Sequence, residues 1–138
     1  MDADELAHAC ENENNAHILL LTNDKIEQDK IDILNELPIG RDDKLMLIDK
    51  LDGYMYVDEI HEIHAGCYLR WINTQDPDDI YIATGAIFCE MVFTDMGTAL
   101  RMKNFRHRYF ELKMDDALLF QKLTPQEKVI LAALSYMT

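Results

Sequence analysis

The residues best suited to bind a metal lie in one short stretch, His61-x-x-His64-x-x-Cys67. Imidazole nitrogens and a thiolate are common zinc ligands, and on a helix His61 and His64 would share one face. A fourth ligand would have to come from a distant residue, and the stretch lacks the HExxH spacing that places two imidazoles on one metal. We therefore expect no metal or other cofactor, and interpret both histidines as solvent-facing or hydrogen-bonded side chains beside Cys67.

The strongest candidate for binding is residues 101–113, RMKNFRHRYFELK, which we call the basic hairpin. It contains five basic residues and a single acid, Glu111. Its alternation predicts two strands joined by a turn, with cations and an aromatic ring on one exposed face. The predicted contact residues are Arg101, Lys103, Tyr109 and Lys113 on that face and Arg106, His107 and Arg108 in the turn. Such a surface can bind single-stranded nucleic acid, through charge along the backbone and stacking on the bases.

Two other functions of the basic hairpin remain open. Its charges can keep a sheet edge solvated and deter strand addition. They can also pair with acidic helices of the same chain or of a second copy, or with a protein partner. The formal net charge of −13 disfavours nucleic acid and anionic membranes, because phosphate contacts depend on Lys and Arg. Residues 1–53 carry 14 acids and 5 bases, whereas residues 101–138 carry 4 acids and 7 bases. This asymmetry favours a protein partner, and a homodimer is one form of it.

Catalytic signatures are missing from the sequence. G-x-S-x-G, G-x-x-x-x-G-K-[ST] and G-x-G-x-x-G do not occur, and five glycines leave little material for a phosphate-binding loop. An enzyme whose site is assembled from distant residues remains open. The favoured class is a non-enzymatic interaction or regulatory module.

Length and composition predict one globular domain spanning residues 1–138. The chain is 49% hydrophobic and 28% charged, which supplies a core without disulfides or metal. Its three cysteines are widely spaced, no signal-peptide pattern is present, and no apolar run is long enough to span a bilayer. We therefore expect an intracellular protein with reduced thiols, in the cytoplasm or nucleus, that binds no membrane.

Residues 1–53 are predicted to be helical. A first helix is predicted over residues 2–21, with the alternative that its first turns fray and order begins near Asn15. The following DKIEQDKIDILNEL predicts an amphipathic helix whose apolar face is interrupted by Lys30. A Pro-x-Gly sequence ends this second helix. A third short helix is predicted over residues 42–51.

Residues 54–65, YMYVDEIHEIHA, fit either a strand or a short helix. As a strand, the apolar positions lose their alternation after Val57. Helical spacing instead places His61 and His64 on the same face as Val57. We therefore predict a short helix or helical turn leading into the sheet, and the geometry of any metal site depends on that choice.

Residues 66–123 are predicted to form a five- or six-stranded antiparallel sheet that curls toward a small barrel, because turn signals interrupt the apolar alternation about every eight to twelve residues. The predicted strands are 67–72, 80–84, 86–93, 98–105, 109–114 and 117–121. The side chains predicted to point inward are Ile87, Cys89, Met91 and Phe93 in the third of these strands, and Leu100, Met102, Phe110, Leu112, Leu118 and Phe120 in the later ones.

Residues 124–137 are predicted to form a C-terminal helix. Thr124 is placed to cap the helix, Pro125 occupies the first helical position, and Glu127 completes a capping box. The complete prediction is an α+β fold, with an N-terminal helical cap, an antiparallel sheet or barrel and a C-terminal helix.

From residue 66 onward the chain resembles short uncharacterised proteins encoded by giant nucleocytoplasmic large DNA viruses. The shared pattern is G-x-Y-[IL]-R-W-I-N, a D-P turn, and F-Q-K-L-T-x-x-E before a last helix, present here as GCYLRWIN, DP and FQKLTPQE. The resemblance implies a viral protein that works in an infected host cell, in its cytoplasm, around its nucleus or in the viral particle. It implies no activity and assigns no role to any residue.

Overall fold

The computed structural model describes residues 22–137 and confirms the predicted α+β fold class. Its helices are α1 (Asn23–Leu34), α2 (Arg41–Lys50) and α3 (Pro125–Met137). Its strands are β1 (Tyr54–Val57), β2 (Tyr68–Asn73), β3 (Ala86–Thr94), β4 (Gly97–Lys103), β5 (Tyr109–Lys113) and β6 (Ala117–Lys122). The helix predicted over residues 2–21 lies outside the described residues.

All six strands form one antiparallel sheet in the order β1-β6-β2-β3-β4-β5. The sheet curls strongly, since Trp71 on β2 contacts Phe110 on β5 with 5.7 Å between the ring centroids. In a flat sheet, strands three positions apart would be separated by about 14 Å. The two end strands of the described sheet do not pair with each other, so the sheet is open and the predicted barrel is not formed.

The strand boundaries in the C-terminal half agree with the sequence prediction to within two residues for β2 to β6. The strand predicted over residues 80–84 is wrong, because this segment contributes only an isolated bridge between Ile82 and Ile72. The main chain there is held instead by side chains of β2. Tyr68 donates its hydroxyl to the Thr84 carbonyl at 2.6 Å, and Arg70 donates from Nε to the Ala83 carbonyl at 2.9 Å.

Residues 54–65 contain both of the predicted alternatives, a strand followed by a helical turn. The first four residues form β1, which pairs with β6 from Tyr54 opposite Lys122 to Val57 opposite Leu119. A single 3₁₀ turn, Ile60–Glu62, follows the strand. The local apolar spacing allowed either structure, and the distant β6 strand decides between them by offering a hydrogen-bonding edge.

Strand β3 changes phase at a bulge, which overturns the first half of the predicted inward set. Phe88 lies opposite Met102, whereas Glu90 lies opposite Arg101, so one residue of β3 has no partner at this point. Before the bulge the even-numbered residues are buried, and after it Met91 packs against the core. Ile87, predicted to point inward, is instead 44% exposed, and Cys89 is half-buried. Phe93 keeps the phase of Met91 but is 74% exposed near the end of the strand.

The other predicted inward positions are confirmed: Leu100, Met102 and Phe120 are fully buried, and Phe110, Leu112 and Leu118 are partly buried against the core clusters. Helices α1 and α2 cover part of the sheet through a cluster that includes Leu34, Leu51, Ile72 and Phe120. Helix α3 packs with α1 and β1 through a cluster that includes Ile26, Met55, Ile130 and Leu131. Its predicted capping box is also present, because the Glu127 N–H donates to Thr124 Oγ1 at 3.1 Å and the Thr124 N–H donates to Glu127 Oε1 at 2.9 Å.

Lys30, which interrupts the apolar face of α1, is 1% exposed. Its ammonium group donates to the Leu51 carbonyl at 3.1 Å and pairs with Glu27 at 2.8 Å. The long alkyl chain therefore fills core space while the charge reaches polar partners. Lys30 ties α1 to the end of α2.

Gln121 on β6 is a second buried polar residue with two partners. Its Oε1 accepts the His64 N–H at 3.0 Å, and its Nε2 donates to the Glu62 carbonyl at 3.1 Å. One side chain thus fixes the 3₁₀ segment against the sheet.

Replacing Gln121 by leucine is expected to lower the free energy of unfolding by about 2–3 kcal/mol, because two backbone groups near the core lose their partner. Urea denaturation followed by circular dichroism measures this loss. The matched control is Gln75→Leu in an exposed loop, which should change stability by less than about 0.5 kcal/mol. Equal stability of the two variants would show that Gln121 does not hold the segment.

Candidate binding surface

The basic hairpin consists of β4, β5 and the connection between them, residues 104–108. Asn104 organises this connection, since its Oδ1 accepts the Arg106 N–H at 2.9 Å and the Arg108 N–H at 3.1 Å. His107 has φ +61°, a left-handed conformation that a tight turn of this kind requires. The Asn104 side chain and the main chain therefore hold the turn, and the side chains of Arg106 and Arg108 are not needed to form it.

The register of β4 and β5 confirms that the predicted side chains of the basic hairpin lie on one face. Lys103 lies opposite Tyr109, Arg101 opposite Glu111, and Ala99 opposite Lys113. The side chains at 101, 103, 109 and 113 thus share one side of the hairpin. The row continues across the sheet, because Ile87 pairs with both Lys103 and Tyr68.

Arg101 is engaged within the protein. It contacts Glu90 at 2.6 Å and Glu111 at 3.2 Å. The hydrogen bond that Arg101 donates to Glu111, together with the negative charge of Glu90, raises the pKa of the Arg101 guanidinium above its usual value. Sequence analysis missed Glu90, since only the bulge in β3 brings this residue opposite Arg101. Of the predicted cations, Arg101 is the one least available to a partner.

The tip of the basic hairpin exposes two aromatic rings. Phe105 is 78% exposed and Tyr109 is 64% exposed. The Arg106 guanidinium lies 5.4 Å from the centre of the Phe105 ring, and Lys103 Nζ lies 5.9 Å from the centre of the Tyr109 ring. Phe105 was missed as a site residue because the strand was predicted to include it. The tip therefore presents two cation–aromatic pairs to solvent.

A carboxylate cleft lies on another part of the molecule, between α1 and the β1 region. Its volume is about 290 Å³, and its lining residues are Asp29, Asp32, Ile33, Glu36, Tyr56, Asp58 and Glu62. Burial and the neighbouring Asp58 carboxylate raise the pKa of Tyr56 to about 12, so its hydroxyl keeps its proton. The cleft combines negative charge with an apolar side chain and a phenol, which suits a cationic side chain.

The metal candidates do not form a site. His61 is exposed and pairs with Glu59 at 3.2 Å, while His64 follows the 3₁₀ turn, so no helix aligns the two imidazoles. Burial, aided by the charge of Glu127, raises the pKa of the half-buried Cys67 thiol, which disfavours the thiolate needed for a metal bond. Among residues 22–137 no group of three or more His, Cys, Asp or Glu residues is placed to hold a metal ion.

No protein-family model matches the chain, and comparisons with curated proteins and with solved structures found no match. Within the described part of the chain, no helix is both long and apolar enough to cross a membrane. A function is therefore inferred from the basic hairpin and the carboxylate cleft.

Proposed function

We propose that the protein is a non-enzymatic interaction module that binds an acidic protein surface through the tip of its basic hairpin. The observation that supports this most is the exposure of Phe105 and Tyr109, each beside a cation. Arginine and aromatic side chains are the residues that contribute most to binding when a partner covers them. The chain has a formal net charge of −13, so the cationic tip differs in sign from the protein as a whole.

The carboxylate cleft provides a complementary surface on the same chain. A second copy can offer the cleft to Arg106 and Arg108, whose side chains are exposed at the tip. Because the tip and the cleft are different surfaces, a reciprocal exchange would form a closed homodimer, whereas a one-way contact would form an open chain. Self-association is thus one form of the proposed acidic partnership.

The proposed setting is an infected host cell. It rests on the resemblance of residues 66–134 to proteins of giant DNA viruses, and places the module in the cytoplasm, the nucleus or the viral particle. A host protein with an acidic surface would be the natural partner in that setting. The three settings predict the same contact residues.

Reversing the charge of both turn arginines, Arg106→Glu with Arg108→Glu, is expected to weaken binding to an acidic partner by at least about tenfold. The measurement is light scattering of the purified protein across a concentration and salt series, followed by pull-down from host extract. A wild-type dimer that loosens with salt, and a variant that stays monomeric, would support self-association.

The matched control is Lys122→Glu with Lys128→Glu, which makes the same change in net charge at two exposed positions away from the hairpin. This control should retain the wild-type behaviour. The proposal fails if the wild-type protein is monomeric at every concentration and the arginine variant retains every partner of the wild type.

Binding of single-stranded nucleic acid is the second candidate function, because exposed aromatic rings beside cations can stack bases and follow a phosphate backbone. Four cations of the hairpin remain for phosphates once Arg101 is paired: Lys103, Arg106, Arg108 and Lys113. Four contacts predict a salt dependence with a slope of about −3 in a logarithmic plot. A mixed RNA oligonucleotide added at low salt tests this function, and no change in scattering or mobility would exclude it.

A further inference from the structure

The outer edge of β5 is an open sheet edge that lies next to the proposed contact residues. In the described sheet β5 stands last in the strand order and pairs only with β4. The strand contains no proline and no bulge, two devices by which proteins commonly block an edge. Within residues 22–137, no strand pairs with the outer side of β5, and its main chain can accept a further strand.

The hydrogen-bonding register shows which groups of β5 face outward. The Asn104 N–H donates to the Arg108 carbonyl at 3.0 Å, so this pair is a hydrogen-bonded pair of the ladder. In an antiparallel ladder such pairs alternate with non-bonded ones. Residues 110 and 112 therefore bond to β4, whereas Tyr109, Glu111 and Lys113 direct their N–H and C=O groups away from it.

The outward edge carries a net positive charge. Arg108 and Lys113 flank it and are exposed, while the one acid of the strand, Glu111, is paired with Arg101 at 3.2 Å. A neutral or basic segment would leave these charges unpaired beside it. Carboxylates of an acidic segment on the side of Lys113 would pair with that residue and also reach Lys103 on the neighbouring strand.

We propose that an extended acidic segment of a partner protein adds to β5 as a seventh strand of the sheet. Its main chain would pair with the outward groups of Tyr109, Glu111 and Lys113, and carboxylates at alternate positions would lie on the side of the sheet that carries Lys103 and Lys113. This inference rests on the proposed function, because it names the chemistry and binding mode of the acidic partner.

A second copy is a poorer occupant of this edge. Antiparallel pairing of two β5 strands over all five residues would place Glu111 opposite Glu111 of the other copy. Like charges directly opposite one another destabilise a strand pair. The edge therefore favours a different chain, one with carboxylates at alternate positions.

A short peptide of alternating Glu and Val residues is the probe for strand addition. Its affinity is compared with the affinities of two N-methylated analogues of the same peptide. In one analogue N-methyl groups block the amides along one edge of the extended peptide, and in the other they block the amides along the opposite edge. One analogue should bind at least about tenfold more weakly, because one peptide edge must donate hydrogen bonds to β5. In NMR spectra of the full chain, bound peptide should protect the amides of residues 109, 111 and 113 from hydrogen exchange.

Protein variants test the same edge from the other side. Glu111→Pro removes an outward N–H without removing a bond to β4, and should weaken peptide binding at least about tenfold. Glu111→Thr removes the same carboxylate but keeps the N–H, and should retain binding. The NMR spectrum of each variant shows whether the fold is kept.

The outcomes separate the two proposals. Equal binding of all three peptides, lost in the Arg106→Glu and Arg108→Glu variant, would overturn strand addition and leave tip binding in place. No binding of any peptide would contradict both proposals. Selective loss with one N-methylated peptide and with Glu111→Pro would support strand addition.

Discussion

Replacing Gly85 by alanine is expected to lower the free energy of unfolding by about 3 kcal/mol or more. Gly85 is buried with φ +109°, a conformation that side chains with a Cβ atom rarely adopt. A Cβ atom there would lie 2.6 Å from Tyr68 Cε1 and 2.8 Å from the Leu69 carbonyl oxygen. The ring cannot easily retreat, because its hydroxyl bonds to the neighbouring Thr84 carbonyl. Backbone strain and steric overlap therefore act together.

The matched control is Gly66→Ala. Gly66 also has a positive φ, +87°, but no atom lies within 4 Å of the position its Cβ would take. This variant should lose only the strain component, about 1–2 kcal/mol. Chemical denaturation of both variants measures the difference. Equal losses would show that the contact with Tyr68 and Leu69 contributes nothing.

Replacing Lys30 by alanine is expected to lower the free energy of unfolding by about 3 kcal/mol. Lys30 is among the largest fully buried side chains of the described residues, so truncation leaves a cavity between α1 and α2. The loss of its ion pair matters less, because Glu27 is 50% exposed and water can solvate its carboxylate. Thermal and urea denaturation would measure the change.

The Lys30→Met variant distinguishes the contribution of the buried alkyl chain to stability from that of the ammonium group. Methionine fills a similar volume, and the Leu51 carbonyl still accepts the Tyr54 N–H at 3.0 Å. The methionine variant should therefore lie within about 1 kcal/mol of the wild type, since the cost of burying an ammonium group is also removed. If methionine is as destabilising as alanine, the ammonium contacts rather than the volume stabilise this site.

Elements whose signals are local were predicted well. The capping box of α3 needs only residues 124–127, and both of its hydrogen bonds are present. Leu100 and Met102 were placed inward by simple alternation, and both are fully buried. The paired strands of the basic hairpin follow one another in sequence, so their shared face was also predictable.

Features that depend on distant residues were not predictable. Val57 belongs to a strand because β6 lies beside it, more than sixty residues later. The bulge near Cys89 reverses the alternation of β3, and only the register with β4 reveals that Glu90 faces Arg101. Lys30 was recognised as an interruption of an apolar face, but its burial depends on the Leu51 carbonyl, which directly follows α2.

The strand order has a consequence for folding during synthesis. Strand β6 lies between β1 and β2, yet it is the last strand of the sheet to leave the ribosome. Until residues 117–122 emerge, β1 has no partner in the described sheet and β2 pairs only with β3. Long-range pairing of this kind forms slowly and exposes unpaired edges meanwhile. The central apolar surface of the nascent chain therefore stays uncovered until nearly all of the described sequence has been translated. Chaperone binding would be most useful during that period.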